Sequence, residues 1–128
     1  MTDKKTLVIG TSLKPERYSN IAINMLVENN IDVLAIGLKK GNVAGIEIHQ
    51  FSDLASIKSA EFKDIYTVTL YLNAKRQIDY YDYIISLKPK RVIFNPGTEN
   101  EEFYKLLTKN NINFEVACTL VLLRMKSF

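Results

Sequence analysis

One polar loop, residues 10–19, holds most of the residues that could bind a ligand. Glycine permits a tight turn directly after an apolar segment, serine and threonine supply hydroxyl groups, and lysine supplies a point charge. Arginine adds a planar guanidinium that can hold a phosphate through two hydrogen bonds. These residue types together favour the binding of an anion, above all a phosphate. The candidate binding residues of this loop are Gly10, Thr11, Ser12, Lys14, Arg17 and Ser19.

The loop departs from the glycine-rich pattern of dinucleotide-binding proteins. Their G-x-G-x-x-G fingerprint needs three glycines, whereas Gly10 is the only glycine between residues 10 and 19. A helix with Ser19 as its N-cap would still favour phosphate, because its free backbone N–H groups and positive dipole end would face the loop. An ordinary loop with solvated basic residues is the alternative interpretation.

A second basic feature, Lys39-Lys40, follows a predicted strand over residues 32–37. A site for NAD usually has an acidic residue at this place, where it binds the ribose hydroxyls. Two lysines favour instead a ribose that carries a phosphate, as in coenzyme A (3′-phosphate) or NADP (2′-phosphate). Exposed lysines without a ligand remain the alternative for either residue taken singly.

Other reactive residue types give weaker signals. His49 and Cys118 are the only histidine and the only cysteine, which is too few for a convincing zinc site, and we expect structural roles for both. The G-x-x-x-x-G-K-[ST] motif of nucleotide hydrolases is absent from the sequence. The sequence therefore predicts neither a metal site nor a catalytic residue.

The elements that must position these loops are short apolar segments alternating with helical patterns. Continuous apolar strands of this kind are typical of a parallel sheet covered by helices on both faces. Helical spacing is clearest after Ser19, over 75–87 and after Thr98, where Glu101 completes a capping-box pattern. The predicted strands are 6–9, 32–37, 64–71, 91–94 and 113–116.

The alternation predicts an α/β fold, a Rossmann-like doubly wound parallel sheet of about five strands in the order 3-2-1-4-5, with helices on both faces. In that order the strands 6–9 and 91–94 are adjacent, and a ligand binds beyond their carboxyl ends. The turn Asn95-Pro96-Gly97 would then face the loop at Gly10. The segment 46–51 is ambiguous, and 54–57 is predicted as a short helix.

Length and composition predict a single domain over residues 1–128. Hydrophobic residues make up 47% of the chain and charged residues 24%, as in soluble globular proteins. One cysteine cannot form an internal disulfide, and residues 1–5 lack a secretory signal, so we expect a cytoplasmic protein. The net charge of +3 comes without a long basic run, so we expect no nucleic-acid partner. The apolar run 116–123 is too short to span a bilayer, so we expect no membrane partner.

Four stretches of the sequence resemble the stand-alone CoA-binding domain family, whose fold is similar to the N-terminal domain of the succinyl-CoA ligase alpha subunit. In the family's order they are V-I-G-T-S-L-K-P-E-R-Y-S-N at 8–20, T-V-T-L-Y-L-N at 67–73, L-K-P-K-R-V-I-F-N-P-G-T-E-N at 87–100 and A-C-T-L-V-L-L at 117–123. The resemblance implies that coenzyme A or an acyl-CoA is the ligand. The ligase's active-site histidine lies in a second domain with no counterpart here, which implies a binding module without enzymatic activity.

The resemblance also implies a place for each part of coenzyme A. The loop at Gly10, Thr11 and Ser12 would meet the phosphates, with Arg17 and Ser19 nearby. Lys39 or Lys40 matches the position at which the ligase alpha subunit uses a basic residue to contact coenzyme A. The end of the third predicted strand would border the adenine or ribose, and the pantetheine arm would leave at the turn 95–97. The residues at these last two places are Val68, Thr69, Leu70, Asn95, Pro96 and Gly97.

Two other functions stay open at this point. The first is an NADP- or NAD-linked redox sensor or oxidoreductase subunit on the same fold. The second is an interaction protein with an empty pocket. In any of the three cases the chain could act with a protein partner or as a homo-oligomer.

Overall fold

The structure, a computed structural model, describes residues 4–53 and 62–128. Its strands are β1 (Thr6–Thr11), β2 (Val33–Gly37), β3 (Gly41–Val43), β4 (Ile46–Gln50), β5 (Thr67–Leu70), β6 (Arg91–Phe94) and β7 (Asn113–Val116). Its helices are α1 (Tyr18–Glu28), α2 (Ala74–Gln77), α3 (Tyr81–Leu87), α4 (Glu101–Lys109) and α5 (Thr119–Arg124), with single 3-10 turns at Phe51–Asp53 and Ile78–Tyr80.

The described strands form one sheet in the order β3-β4-β2-β1-β5-β6-β7. Every pair is parallel except β3 with β4, which form an antiparallel pair at one edge. The central strands β1 and β5 are buried along nearly their whole length. Burial on both faces explains why these strands are continuous apolar or β-branched runs without polar alternation.

The sheet separates two apolar cores, because successive residues of a strand point to opposite faces. On one face Val8 packs with Ile23 of α1 and Leu123 of α5. On the other face Leu7 packs with Ile84 of α3 and with residues of α4. The predicted fold class, a Rossmann-like α/β sheet with helices on both faces, is therefore confirmed.

The predicted neighbours of one strand are wrong. Segments 6–9 and 91–94 are not adjacent, because β5 lies between β1 and β6 and pairs in parallel with both. The place beside β2 that was assigned to residues 64–71 is taken by β4, the segment left ambiguous in the sequence. The order 3-2-1-4-5 holds only when β4 is counted as the third strand, and the sheet then extends further at both edges.

Two predicted helix caps are also wrong. Helix α1 begins before Ser19, with Arg17 at the N-cap, and helix α4 has Asn100 as its N-cap, with a side chain that accepts a hydrogen bond from the Phe103 N–H. The Thr98 hydroxyl instead donates to the Asn95 carbonyl at 2.8 Å. The predicted short helix at 54–57 lies outside the described residues. No helix among the described residues has the length and apolar character needed to cross a membrane.

Candidate functional site

A cleft of about 760 Å³ opens where β1, β2 and β5 end. The chain leaves β1 toward α1 on one face and leaves β5 toward α2 and α3 on the other, and such a point in a doubly wound sheet is where ligands bind. The lining comes from segments 10–14, 16–19, 37–39 and 71–72, together with Arg76, Tyr80 and Pro96. The cleft thus brings together eight predicted site residues: Gly10, Thr11, Ser12, Lys14, Arg17, Ser19, Lys39 and Pro96.

Two glycines let the backbone segments of the cleft approach one another. Gly10 has a φ of +95°, and a Cβ there would lie 2.9 Å from the carbonyl carbon of Tyr71. At Gly37, a Cβ would collide with the carbonyl oxygen of Thr11. The register between β1 and β2 skips Gly10, so that Thr11 pairs with Gly37. A larger residue at either glycine would force the ends of β1, β2 and β5 apart.

The loop after β1 is fastened to α1 by its own side chains. The Ser12 N–H donates to the Ser19 Oγ at 3.0 Å, and the Asn20 amide donates to the Ser12 carbonyl at 3.0 Å. The Lys14 N–H donates to the Ser12 Oγ at 3.1 Å. Since each serine oxygen accepts a backbone N–H, each hydroxyl proton can still be donated to a ligand. These serines therefore hold the loop in place and keep one donor each.

The start of helix α1 faces the cleft as a positive end. Arg17 occupies the N-cap, and no described side chain caps the helix, so the first N–H groups retain their capacity for an anion. The side chains of Lys14 and Arg17 are exposed beside it. Glu16 supplies a carboxylate at the same wall. This wall carries more positive than negative charge, as phosphate binding requires.

The segment after β2 supplies one predicted cation to the cleft. Lys39 lines the cleft beside Leu38, whose side chain is 69% exposed. The carbonyl of Leu38 accepts a hydrogen bond from the Gln50 amide at 2.8 Å, which fixes the segment to the end of β4. Lys40 is exposed but does not line the cleft. The structure therefore separates the two lysines that the sequence left equivalent.

The segment after β5 contributes lining residues that the sequence analysis missed. Tyr71, Leu72, Arg76 and Tyr80 all line the cleft. The predicted strand order placed β5 beyond β2, away from the loop after β1, so these residues were not predicted to line the site. Counting the apolar alternation of 46–50 as a strand would have placed residues 71–76 beside the loop after β1.

The other predicted residues after β5 and β6 lie beneath the cleft or beyond it. Val68, Thr69 and Leu70 are fully buried in β5, and Asn95 is 2% exposed. The Asn95 amide donates to the Thr69 Oγ1 at 2.7 Å and to the Leu70 carbonyl at 2.9 Å, and its oxygen accepts from the Thr119 N–H at 2.8 Å. Gly97 is exposed outside the lining. In this structure the asparagine joins β5, β6 and α5.

A second buried polar group continues that network toward α2 and α4. The Gln77 amide donates to the carbonyls of Leu72 and Thr98, each at 2.8 Å. The Asn100 amide donates to the Gln77 Oε1 at 2.9 Å and to the Tyr81 hydroxyl at 2.8 Å. Both amide groups are hydrogen-bonded to protein atoms, so they stabilise the packing of the segments after β5 and β6 and offer few free donors to a ligand.

The two residues that most often carry covalent or acid–base chemistry lie outside the lining. His49 on β4 lies 3.4 Å from the Glu47 carboxylate and makes an edge contact with the ring of Phe62. Cys118 is a half-buried thiol at the N-cap of α5. Among residues 4–53 and 62–128, no group of histidine, cysteine and acidic side chains is placed to hold a metal ion.

Two cleft tyrosines are held in their neutral form. Burial is the main cause that raises the pKa of the Tyr71 phenol well above its usual value. Burial also raises the pKa of Tyr80, helped by Asp79 and opposed by Arg76. A neutral phenol does not repel a phosphate, so both tyrosines are compatible with an anionic ligand.

Comparison with known proteins assigns this architecture to a family. A family model described as a CoA binding domain matches residues 4–124. The chain belongs to the CoA-binding domain family. The resemblance first seen in the four sequence stretches is therefore confirmed. No curated protein matches the chain.

Solved structures repeat the fold of this CoA-binding domain over its whole length. One, described only as an uncharacterized protein, is 42% identical, with a TM-score of 0.86 and 98% of both chains covered. A hypothetical protein from Pyrococcus horikoshii OT3 is 27% identical, with a TM-score of 0.77, and the match covers 94% of this chain and 89% of that one. A protein from Thermus thermophilus, cell-free ID.343, is 22% identical over the full length of both chains, with a TM-score of 0.77. That last likeness shows the fold alone.

Proposed function

We propose that this CoA-binding domain protein is a non-catalytic module that binds coenzyme A or an acyl-CoA in the cleft beyond β1, β2 and β5. The observation that carries the proposal is the charge of the cleft. Lys14, Arg17, Lys39 and Arg76 line it, and Glu16 is the single carboxylate among the lining residues. None of the four cations forms an ion pair with a described residue. Four cations around one crevice, none paired within residues 4–53 and 62–128, suit a ligand with several phosphate charges.

Each phosphate of coenzyme A has a suitable partner. The diphosphate would lie against the loop Gly10–Ser12, where the uncapped N-terminus of α1 supplies N–H groups. Arg17 can hold the same group with two charge-assisted hydrogen bonds. The ribose 3′-phosphate would lie at Lys39, on the β2 side. With this orientation the pantetheine arm would leave past Leu72 and Pro96.

The lining residues support binding more than catalysis. Acyl transfer or hydrolysis of a thioester needs an activated nucleophile or a positioned base. The cleft's serines hold loop N–H groups, and His49 and Cys118 lie outside the lining. The raised pKa of the cleft residues Tyr71 and Tyr80 keeps both phenols neutral. A carrier, a sensor or the CoA-binding subunit of a larger complex fits this composition.

An NADP-binding redox protein is the second candidate, and Lys39 is the observation that favours it. A lysine after β2 suits a ribose 2′-phosphate as well as a 3′-phosphate. The absence of a carboxylate from the cleft-lining segment 37–39 argues against NAD. The NADPH-dependent glyoxylate/hydroxypyruvate reductase of Sinorhizobium meliloti shares 13% identity and a TM-score of 0.62 with this chain, which shows the fold alone.

Equilibrium dialysis of the purified protein against coenzyme A, NADP, NAD and ATP separates these functions. We expect coenzyme A to bind most tightly, and we expect acetyl-CoA to be recovered intact after incubation. Tighter binding of NADP than of coenzyme A would contradict the proposed function and favour an NADP-binding redox protein. Binding of none of the four nucleotides would leave an interaction protein with an empty cleft.

A further inference from the structure

Tyr80 presents an aromatic ring to the cleft from a fixed position. The residue is half-buried and lines the cleft. Its ring packs on that of Phe51, with centroids 4.3 Å apart and planes at 39°, and Phe51 in turn makes an edge contact with Tyr83. Because Phe51 directly follows β4, this aromatic group lies toward the β2–β4 side of the cleft. That is the side where Lys39 would hold the sugar phosphate.

Arg76 lies one helical turn before Tyr80 and shares the cleft with it. The intervening Gln77 is fully buried, and its amide donates to the carbonyls of Leu72, after β5, and Thr98, after β6. The exposed guanidinium of Arg76 has no hydrogen-bond or ion-pair partner among the described residues.

The two walls of the cleft carry matching groups on opposite sides of the sheet. Lys14 and Arg17 precede α1, which packs on one core. Arg76 and Tyr80 precede α3, which packs on the other core. A flat ligand between the walls would therefore meet one arginine from each side, with the exposed Tyr18 on the first wall and the packed ring of Tyr80 on the second.

We propose that Tyr80 and Arg76 form a second nucleotide-binding wall, in which the Tyr80 ring stacks on the ligand's purine base and Arg76 binds a phosphate opposite Arg17. This inference rests on the proposed function and makes it more specific. The affinity comes from the nucleotide end of the ligand, so coenzyme A and its thioesters bind alike whatever acyl group they carry.

The test uses titrations with coenzyme A, with its fluorescent 1,N6-etheno analogue and with 4′-phosphopantetheine, which lacks the base. We expect Tyr80→Leu to weaken coenzyme A binding roughly tenfold, the usual size of one base–aromatic stack, and Tyr80→Phe to restore it within about twofold because the ring is kept. Arg76→Ala should weaken binding by a similar factor. Lys75→Ala removes a neighbouring exposed cation outside the lining and is the matched control, with little expected change.

The etheno fluorescence supplies a readout that a purely structural role would not change. Stacking on Tyr80 should alter the emission of the etheno analogue bound to the wild-type protein, and Tyr80→Leu should reverse that change while leaving 4′-phosphopantetheine binding as it was. If Tyr80→Leu does not fold, the inference is tested by the emission of the etheno analogue bound to the wild-type protein and by the coenzyme A affinity of Arg76→Ala. Unchanged emission, or unchanged coenzyme A affinity in folded Tyr80→Leu and in Arg76→Ala, would overturn this inference and leave the proposed function standing. A wild-type protein that binds no coenzyme A would overturn both.

Discussion

The polar residues beyond β6 and those beyond β1 make two regions of opposite character. Asn95, directly after β6, is buried, and its amide is hydrogen-bonded to protein groups. Lys14 and Arg17 are exposed and lack ion-pair partners in the described part of the chain. Both regions looked like ligand-binding turns in the sequence. The difference shows that the polar groups of the first region are used by the fold itself, and it supports the proposal that the second region binds the ligand.

The strongest test of this comparison is Asn95→Ala. The substitution removes two donated hydrogen bonds and leaves the buried Thr119 N–H without its acceptor. We expect the free energy of unfolding to fall by about 3 kcal/mol, since buried groups left without partners cost more than the bonds contributed. Urea denaturation measures this loss. Asn113→Ala, at an exposed asparagine of β7, is the control, with an expected change under about 0.5 kcal/mol.

A different result at Asn95 would break the comparison. If folded Asn95→Ala kept its stability but lost affinity for coenzyme A, the residue would belong to the binding site, as the sequence resemblance implied. The structure predicts that Asn95→Ala lowers the free energy of unfolding, while the folded fraction of the variant keeps its affinity for coenzyme A.

Arg17→Ala tests the other region. We expect coenzyme A binding to weaken by about 1.5–3 kcal/mol, the range for a charge-assisted hydrogen bond. The free energy of unfolding should stay nearly constant, because the Arg17 side chain does not cap α1. Calorimetry compares the affinities, with Arg124→Ala, an exposed arginine of α5, as the control. Equal affinities of Arg17→Ala and wild type would remove Arg17 from the site.

The smallest expected effect separates the two lysines after β2. Dephospho-CoA, which lacks the 3′-phosphate, should bind more weakly than coenzyme A by about 1 kcal/mol, because exposed ion pairs are screened. The preference should shrink as salt rises and in the double variant Lys39→Ala, Lys40→Ala. Since only Lys39 lines the cleft, Lys39→Ala alone should reproduce the double variant, and Lys40→Ala should retain the preference. Equal binding of both compounds at every salt concentration would refute the role of these lysines and favour NAD.

Sequence patterns predicted the fold class because burial on both faces leaves a direct signal in composition. The runs at β1, β2, β5 and β6 are apolar or β-branched, and their boundaries were placed within a few residues. The order of strands was harder, because β4 is partly exposed and its two isoleucines share a face with Gln50. Missing that edge-side strand shifted β5 away from β1.

The candidate site was predicted in part for a related reason. Residue types identified the loop 10–19 and Lys39, since charge and glycine leave clear local patterns. They could not tell an asparagine used for buried hydrogen bonds from one that faces a ligand, because Asn95 becomes a buried link only when β5 and α5 pack around it. Arg76 and Tyr80 depend on the strand order and were missed with it.

The central claim is that coenzyme A binds at the loop after β1. Backbone amide NMR during titration with coenzyme A tests it most directly, because each N–H reports its own surroundings. We expect the largest shift changes at Gly10, Thr11 and Ser12 and at the start of α1, with smaller changes at 37–39 and 71–80. Changes concentrated at the opposite edge of the sheet, or none at saturating coenzyme A, would contradict the claim.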